Sequence, residues 1–350
     1  MRELSSIARK AVGSHRKALS YTMPVIATLI AFLIYSTLLY MSYGIDIGKL
    51  LNSWKDTLFT VGGWKRSLTR TLPILMPAVG LTLAFRMGFW NIGAEGQLLM
   101  GLLAGSGVAI FLAERLPQAV ALLLMFIAAF STGALWALLP AYLRGRLNVN
   151  EVLTTLMLNY VAASVFDFVV RGPWRDPSAY GFIKSPPLPE KTRLDVLIGF
   201  SLAALFAAAV YILQNYTVFG FEVRVVGSSY EVARAIGISY IKTAIKVMAM
   251  SGGLAGIGGL LISTVMTGVL MESARMTPGY GYTAIIAAWL ARLNPVATVL
   301  SSFFLGFITD VGVLLETVYR VPASSIMVFE GMLLLAVVVS EPLEKKLKAL

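Results

Sequence analysis

Four stretches of this 350-residue chain run for 25 residues or more without a charged side chain: 18–45, 116–143, 196–221 and 247–271. A helix needs about 20 residues to cross a hydrocarbon core about 30 Å thick, so each of the four passes alone. Lipid is therefore the solvent for most of the chain. The composition agrees: 57% of residues are hydrophobic and 13% charged, against roughly 25% charged in an ordinary soluble domain. A soluble fold has too little interior to hide that much apolar surface. This excludes a typical soluble globular protein, a disordered chain and a collagen-like fibre.

The chain has no cysteine and one histidine, His15, which sits among Arg9, Lys10, Arg16 and Lys17. A disulfide framework, a thiol nucleophile, a metal site built on cysteine or on a histidine cluster, and a Ser-His-Asp triad inside the membrane are all excluded on these counts. The net charge of +11 has no basic domain to carry it. It reads as affinity for anionic lipid and a cytoplasmic face, with no nucleic acid partner.

The pattern predicts an all-α polytopic membrane protein with about ten helices: 24–43, 68–86, 97–113, 118–140, 151–170, 194–214, 242–266, 281–293, 296–316 and 325–341. A count of eight or nine stays open, because 281–293 is short enough to be re-entrant. The first run is too long for a signal-peptide core and no small-x-small cleavage site follows it, so it reads as a span. Residues 1–23 form a basic cytoplasmic tail, 24–341 the transmembrane domain and 342–350 a cytoplasmic C-terminal tail. The orientation, with both termini cytoplasmic, rests on Arg2, Arg9, Lys10, Arg16 and Lys17 at one end and Lys345, Lys346 and Lys348 at the other. No G-x-x-x-x-G-K-[ST] is present, so energy must come from a partner or an ion gradient.

Three constellations stand out. The first runs from Phe85 to Gln97 and holds three glycines in nine residues, Gly88, Gly93 and Gly96, after a run interrupted by Pro73 and Pro77. Lipid tolerates irregular backbone only where protein buries it or where it lines a watery cavity. Arg86, Asn91, Glu95 and Gln97 are costly facing lipid and so point inward. The segment reads as a broken helix beside a substrate pathway; the other reading is a plain cytoplasmic turn with Arg86 and Glu95 anchored at the headgroups.

The second begins at Asn150, which can cap the following helix, with Glu151 at its positive end. Glu151, Thr155 and Asn159 are spaced i, i+4, i+8 and share one face. That stripe reads equally as a pore lining or as an interhelical hydrogen-bond seam. The third is Gly227 to Ile238. Ser228-x-x-Glu231 matches a capping box and Gly237 a helix stop, predicting a two-turn helix between spans. Such a helix is marginal alone in water, so it either docks on a partner or lies on its own protein or lipid. In Ser251 to Gly259, Gly252-x-x-x-Gly256 lets membrane helices approach closely. Short interrupted elements at 85–97 and 278–295 fall in corresponding places of the two halves, 1–193 and 194–350, so a 5+5 inverted repeat is possible. Paired interruptions of that kind point to a midplane site.

Gly88 to Gln97 resembles the signature of ABC-importer permeases for nucleosides and simple sugars, a branch of the branched-chain amino acid and ribose permease superfamily. Asn150 to Tyr160 resembles that family's next signature. Arg171-Gly172-Pro173, Arg175-Asp176-Pro177 and Pro186 to Pro189 resemble its external loop. Ala233-Arg234, Gly237-Ile238 and Ser251 to Gly259 resemble its coupling loop and following helix. The likeness spans about residues 68–300. It implies a type II importer-like permease fold in a prokaryotic plasma membrane. It also implies a non-catalytic channel subunit working with a second permease, homologous or identical, with ABC ATPase subunits that use ATP-Mg, and with an extracytoplasmic binding protein. No cofactor or metal is expected on this chain. In that reading residues 222–246 form the cytoplasmic coupling segment, with Ser228, Glu231, Arg234, Gly237 and Ile238 meeting the ATPase. The external loop 171–193 receives the binding protein through Arg171, Arg175 and Lys184. Substrate passes Phe89, Trp90, Asn91, Glu95, Gln97, Glu151, Thr155 and Asn159 by alternating access. The competing reading is a self-sufficient secondary carrier with Glu95, Asp167 or Asp310 as ion-coupling groups.

Overall fold

A computed structural model describes residue 26 and residues 29–322 and 324–349; the expected tail at 1–23 lies outside these. Fourteen helical elements are labelled in chain order: α1 Leu29–Tyr43, α2 Ile47–Phe59, α3 Val61–Arg86, α4 Ala94–Phe111, α5 Gln118–Leu147, α6 Glu151–Arg171, α7 Val196–Tyr216, α8 Val218–Ser228, α9 Tyr230–Ala235, α10 Tyr240–Leu261, α11 Ser273–Met276, α12 Tyr280–Leu290, α13 Ala297–Tyr319 and α14 Ser324–Ala349. Among the described residues no strand is present beyond an isolated bridge between Lys184 and Met271. Among the described residues seven helices are long and apolar enough to span, or eight if α1 and α2, bent by 115°, count as one broken span. The expected count of about ten, with eight or nine open, includes elements too short to pass this test. The segment expected at 281–293 is the 11-residue α12, and the apolar part of α14, Ser324–Ala336, is also short.

The chain divides into two compact units. The first holds the described residues of 1–63 and 308–350. Gly44 turns the chain at φ +66° between α1 and α2, and Asp46 caps α2 by accepting from the Lys49 N–H at 2.8 Å. α2 turns Leu50, Ser53 and Thr57 inward. Tyr35 stacks on Phe329 with ring centroids 4.9 Å apart.

The second unit, 64–307, carries the features that the sequence singled out. Its α4, α5 and α10 cross closely because glycines meet at the contacts. A methyl on Gly101 would overlap Gly256, and one on Gly133 would overlap the Gly252 carbonyl. Larger side chains would hold these backbones apart. Pro73 and Pro77 do not break α3, which is helical throughout. Their faces pack instead against α10, where a methyl on Gly258 would stand 2.9 Å from Pro77 Cδ. Both α3 and α10 are mostly buried, whereas α5, α6 and α7 turn most of their apolar surface outward, as lipid contact requires.

α10 widens into a π turn over Ile262–Thr267 and ends at Gly268, φ +72°, whose N–H donates to Ser263 O at 2.9 Å. The loop after α6 is stitched to this end. Leu194 N and Arg193 Nε both donate to Thr264 O at 3.0 Å, Leu188 N donates to Gly268 O at 2.8 Å, and Ser185 N donates to Leu270 O at 2.9 Å. Trp174 of the same loop covers Gly107 and meets the Phe111 ring edge-on at 5.2 Å. α7 separates this loop from α8 and α9, so the two lie at opposite ends of the unit.

Candidate functional site

Residues 87–93 are not helical: 87–88 and 93 are turns, with Gly88 at φ +77° and Asn91 N donating back to Phe89 O at 3.0 Å, and burial alternates from one residue to the next. Met87, Phe89, Asn91 and Gly93 point inward; Gly88 and Trp90 are exposed and Ile92 is half-buried. Phe89 is 0% exposed and Trp90 47%. Two contacts fix the direction of this stretch. Glu95 meets the start of α12 at Gly281, and Trp90 meets its end at Trp289. Eight helical residues separate those points, about 12 Å. The segment therefore re-enters beside α12, and α4 starts partway along it.

A hydrogen-bond network holds the re-entrant backbone. Asn91 Oδ1 accepts from Gly93 N and Gln97 Nε2, both at 3.0 Å. Its Nδ2 donates to Gln97 Oε1 and Ser251 Oγ, both at 3.1 Å. Thr155 Oγ1 accepts from Ile92 N at 3.2 Å and donates to Glu151 O at 2.7 Å. Asn159 Oδ1 accepts from Gly96 N at 2.9 Å, while its Nδ2 donates to Ile92 O at 2.9 Å and to Tyr282 Oη at 3.1 Å. Glu95 accepts from Gly279 N at 3.1 Å and Gly281 N at 2.6 Å, so its carboxyl group caps α12. Glu151 pairs with Arg144 at 3.2 Å.

Asn91, Glu95, Gln97, Thr155 and Asn159 thus come together as one interhelical seam, buried and bonded to one another or to backbone. Such a seam fixes backbone that a lipid environment would otherwise penalise. Phe89 packs in the core behind it. Of the eight pathway residues expected from sequence, Trp90 is the one presented on the open face. Sequence reasoning missed the partners of that face, Tyr282 and Trp289. They lie seven residues apart on the exposed side of α12 with Ile285 between them; the i, i+3, i+7 spacing was the available signal.

At one end of the unit, α9 is anchored by Ala233, 1% exposed, while Tyr230, Val232 and Ile236 face out. Ser228, Glu231, Arg234 and Gly237 are exposed and Ile238 is half-buried. The cap differs from expectation by one residue. Ser228 closes α8, bonding Val225 O at 2.9 Å, and Ser229 caps α9 by accepting from Val232 N at 3.3 Å. The extended backbone of Ser229 (φ −159°) makes it the first non-helical residue, which leaves Glu231 to accept from the Ser229 hydroxyl at 2.9 Å. Gly237, φ +83°, stops the helix as expected. α8 seats against the root of the re-entrant segment: a methyl on Gly227 would overlap Arg86 O. With its amide oxygen toward Arg86, Gln214 accepts from Nη1 at 2.9 Å and Nε at 2.6 Å, and Arg224 donates to the Gln214 carbonyl.

At the opposite end, Arg171 is paired with Glu272 at 2.6 Å and Lys191 reaches Leu116 O at 3.2 Å. Their charge is therefore partly spent inside the chain. Arg175 is exposed and Lys184 half-buried. Tyr180 at 93% and Phe182 at 67% are the outermost large side chains of the loop.

Residues 64–338 match the family profile described as the branched-chain amino acid transport system permease component. The chain belongs to this permease family. The glucose ABC transporter permease protein TsgB13 of Haloferax volcanii is 32% identical to the permease over 92% of this chain and 88% of its own. The guanosine ABC transporter permease protein NupP of Bacillus subtilis is 28% identical over 83% and 85%. The nucleoside ABC transporter permease protein NupB of Lactococcus lactis is 26% identical over 81% of each. The permease is an all-α membrane subunit of an ABC transporter.

Proposed function

We propose that this permease carries nucleosides into the cell, driven by separate ATPase subunits, with a second permease and an extracytoplasmic binding protein completing the assembly. One observation carries the division of labour: α9 is six residues long and leaves Tyr230, Val232 and Ile236 uncovered. A helix so short does not persist in water on its own contacts, and its apolar outer face calls for a partner. The neighbouring α8 rests on Arg86, where the re-entrant segment begins. A displacement of α9 by a closing ATPase dimer is therefore delivered to the segment that bears Trp90. Alternating access then requires two states that differ in affinity for substrate and partner. In this reading α9 faces the cytoplasm, as do both termini, and the loop at 171–193 faces the binding protein.

The guanosine and nucleoside permeases among the relatives support the substrate class. A simple sugar is the second reading, favoured by the 32% identity to a glucose permease; a branched-chain amino acid would use the same machinery. The deciding experiment is uptake of radiolabelled guanosine, adenosine and glucose into vesicles holding the permease with or without its partner subunits. Nucleoside uptake should need ATP and the complete assembly. Uptake by the lone chain on an ion gradient would refute the proposal in favour of a secondary carrier.

A further inference from the structure

Trp90 and Trp289 take no part in the buried seam, yet their rings are held. The Trp90 and Trp289 centroids are 5.7 Å apart with planes 23° from parallel, and Phe85 lies 5.7 Å from both, at 30° to Trp289 and tilted by 48° to Trp90, so the three rings form a triangular cluster. Phe85 is 8% exposed against 47% for Trp90, so the cluster has a covered corner and an open one. We infer that the open indole of this cluster is a stacking platform for a flat heteroaromatic ring, and that it makes the transport path selective for nucleosides by their base. The inference rests on the nucleoside reading above and deepens it.

Three features support it. First, the platform is rigid before anything binds. Asn91 Oδ1 and Nδ2 engage Gly93, Gln97 and Ser251, and Ile92 is bonded through both its N–H and its carbonyl. The backbone on the C-terminal side of Trp90 is therefore fixed, and with Phe89 and Asn91 buried on either side the indole is left facing outward. Groups ordered in advance lose less entropy on binding. Second, aromatic faces hold bases whatever their identity, because every base has a π-face. Third, the next group along the same face of α12 is polar. Tyr282 is seven residues before Trp289, about 10 Å along the helix, comparable to the length of a nucleoside. Its hydroxyl oxygen accepts from Asn159 Nδ2 at 3.1 Å, which turns the hydroxyl proton away from Asn159 to donate elsewhere. A base on Trp90 and a ribose hydroxyl at Tyr282 would use both ends of the face.

The test uses the full transporter in proteoliposomes, with saturating binding protein and radiolabelled adenosine or uridine as probes. Trp90→Leu and Trp289→Leu should each lower the maximal rate of adenosine uptake about tenfold or more. Trp90→Phe keeps a smaller ring; it should retain adenosine uptake within about threefold and reduce the ratio of adenosine to uridine rates, since the purine loses more overlap. That ratio would not respond if the rings were merely a structural wedge. Wild-type nucleoside uptake with rates and ratio unchanged in all three variants overturns the platform and leaves the nucleoside reading standing. A wild-type complex that takes up neither nucleoside overturns both.

Discussion

The Glu95 cap on α12 gives the sharpest quantitative test. Its carboxyl group, 7% exposed, accepts from Gly279 N at 3.1 Å and Gly281 N at 2.6 Å. Leaving a buried donor without an acceptor costs about 1–3 kcal/mol. Glu95→Gln keeps one accepting oxygen and turns an NH2 toward the other N–H, so it should cost about 1–3 kcal/mol locally. Glu95→Ala loses both acceptors, about 2–6 kcal/mol. Close packing adds a constraint: a methyl on Gly281 would overlap the Glu95 backbone, so α12 has no room to slide until it finds new partners. Amide hydrogen exchange of peptides covering 278–284, in nanodiscs, reads the opening free energy directly. Exchange should speed up about tenfold or more in the glutamine variant and about a hundredfold or more in the alanine variant, with peptides from α5 unchanged. Equal exchange in wild type and both variants would refute the view that Glu95 holds this helix.

The glycine crossing and the α9 cap give two further expectations. Gly133→Ala puts a methyl on the Gly252 carbonyl and 3.0 Å from Gly256 Cα, which should destabilise by about 1–3 kcal/mol and lower the thermal midpoint of the purified protein. Gly331→Ala, inside α14 with nothing within 4 Å among the described residues, is the control that should not lower it, since an unobstructed methyl favours the helix. The Glu231 carboxyl is held below the ordinary glutamate range by its own backbone N–H and by the Ser229 hydroxyl. A depressed native value stabilises the folded form above the ordinary pKa of about 4.3, and that contribution fades as pH falls through the native value. Exchange in 228–238, corrected for its intrinsic pH dependence, should be level from about pH 6 to 8 and accelerate below about pH 4. Ser229→Ala should flatten the step.

The membrane class was legible because charge-free length is a one-dimensional property. The Asn150 cap and the inward stripe of Glu151, Thr155 and Asn159 were equally local, since 3.6-residue periodicity needs no tertiary information. The same spacing could not say whether the stripe met water or backbone; Gly96 and Ile92, more than 60 residues away in sequence, decided that. The glycines of 88–96 announced irregular backbone without revealing that it runs beside α12. The Trp90–Trp289 stack lay beyond sequence reasoning because it joins residues about 200 positions apart. The one-residue error at Ser228 has a simple cause: two serines stand together, and only backbone dihedrals show which one leaves the helix.

The π turn at the end of α10 ties a surface feature to a deep one. A π turn holds one residue more than the α-helix it interrupts, and here it lets Thr264 O accept from Arg193 and Leu194. Excise that single residue and a regular coil would reclaim the carbonyl, leaving the 185–194 strap to its bonds with Gly268 and Leu270. The lower part of the same rod is the shaft that Gly252 and Gly256 press against its neighbours. The strap's anchor and the glycine crossing are thus two ends of one continuous rod.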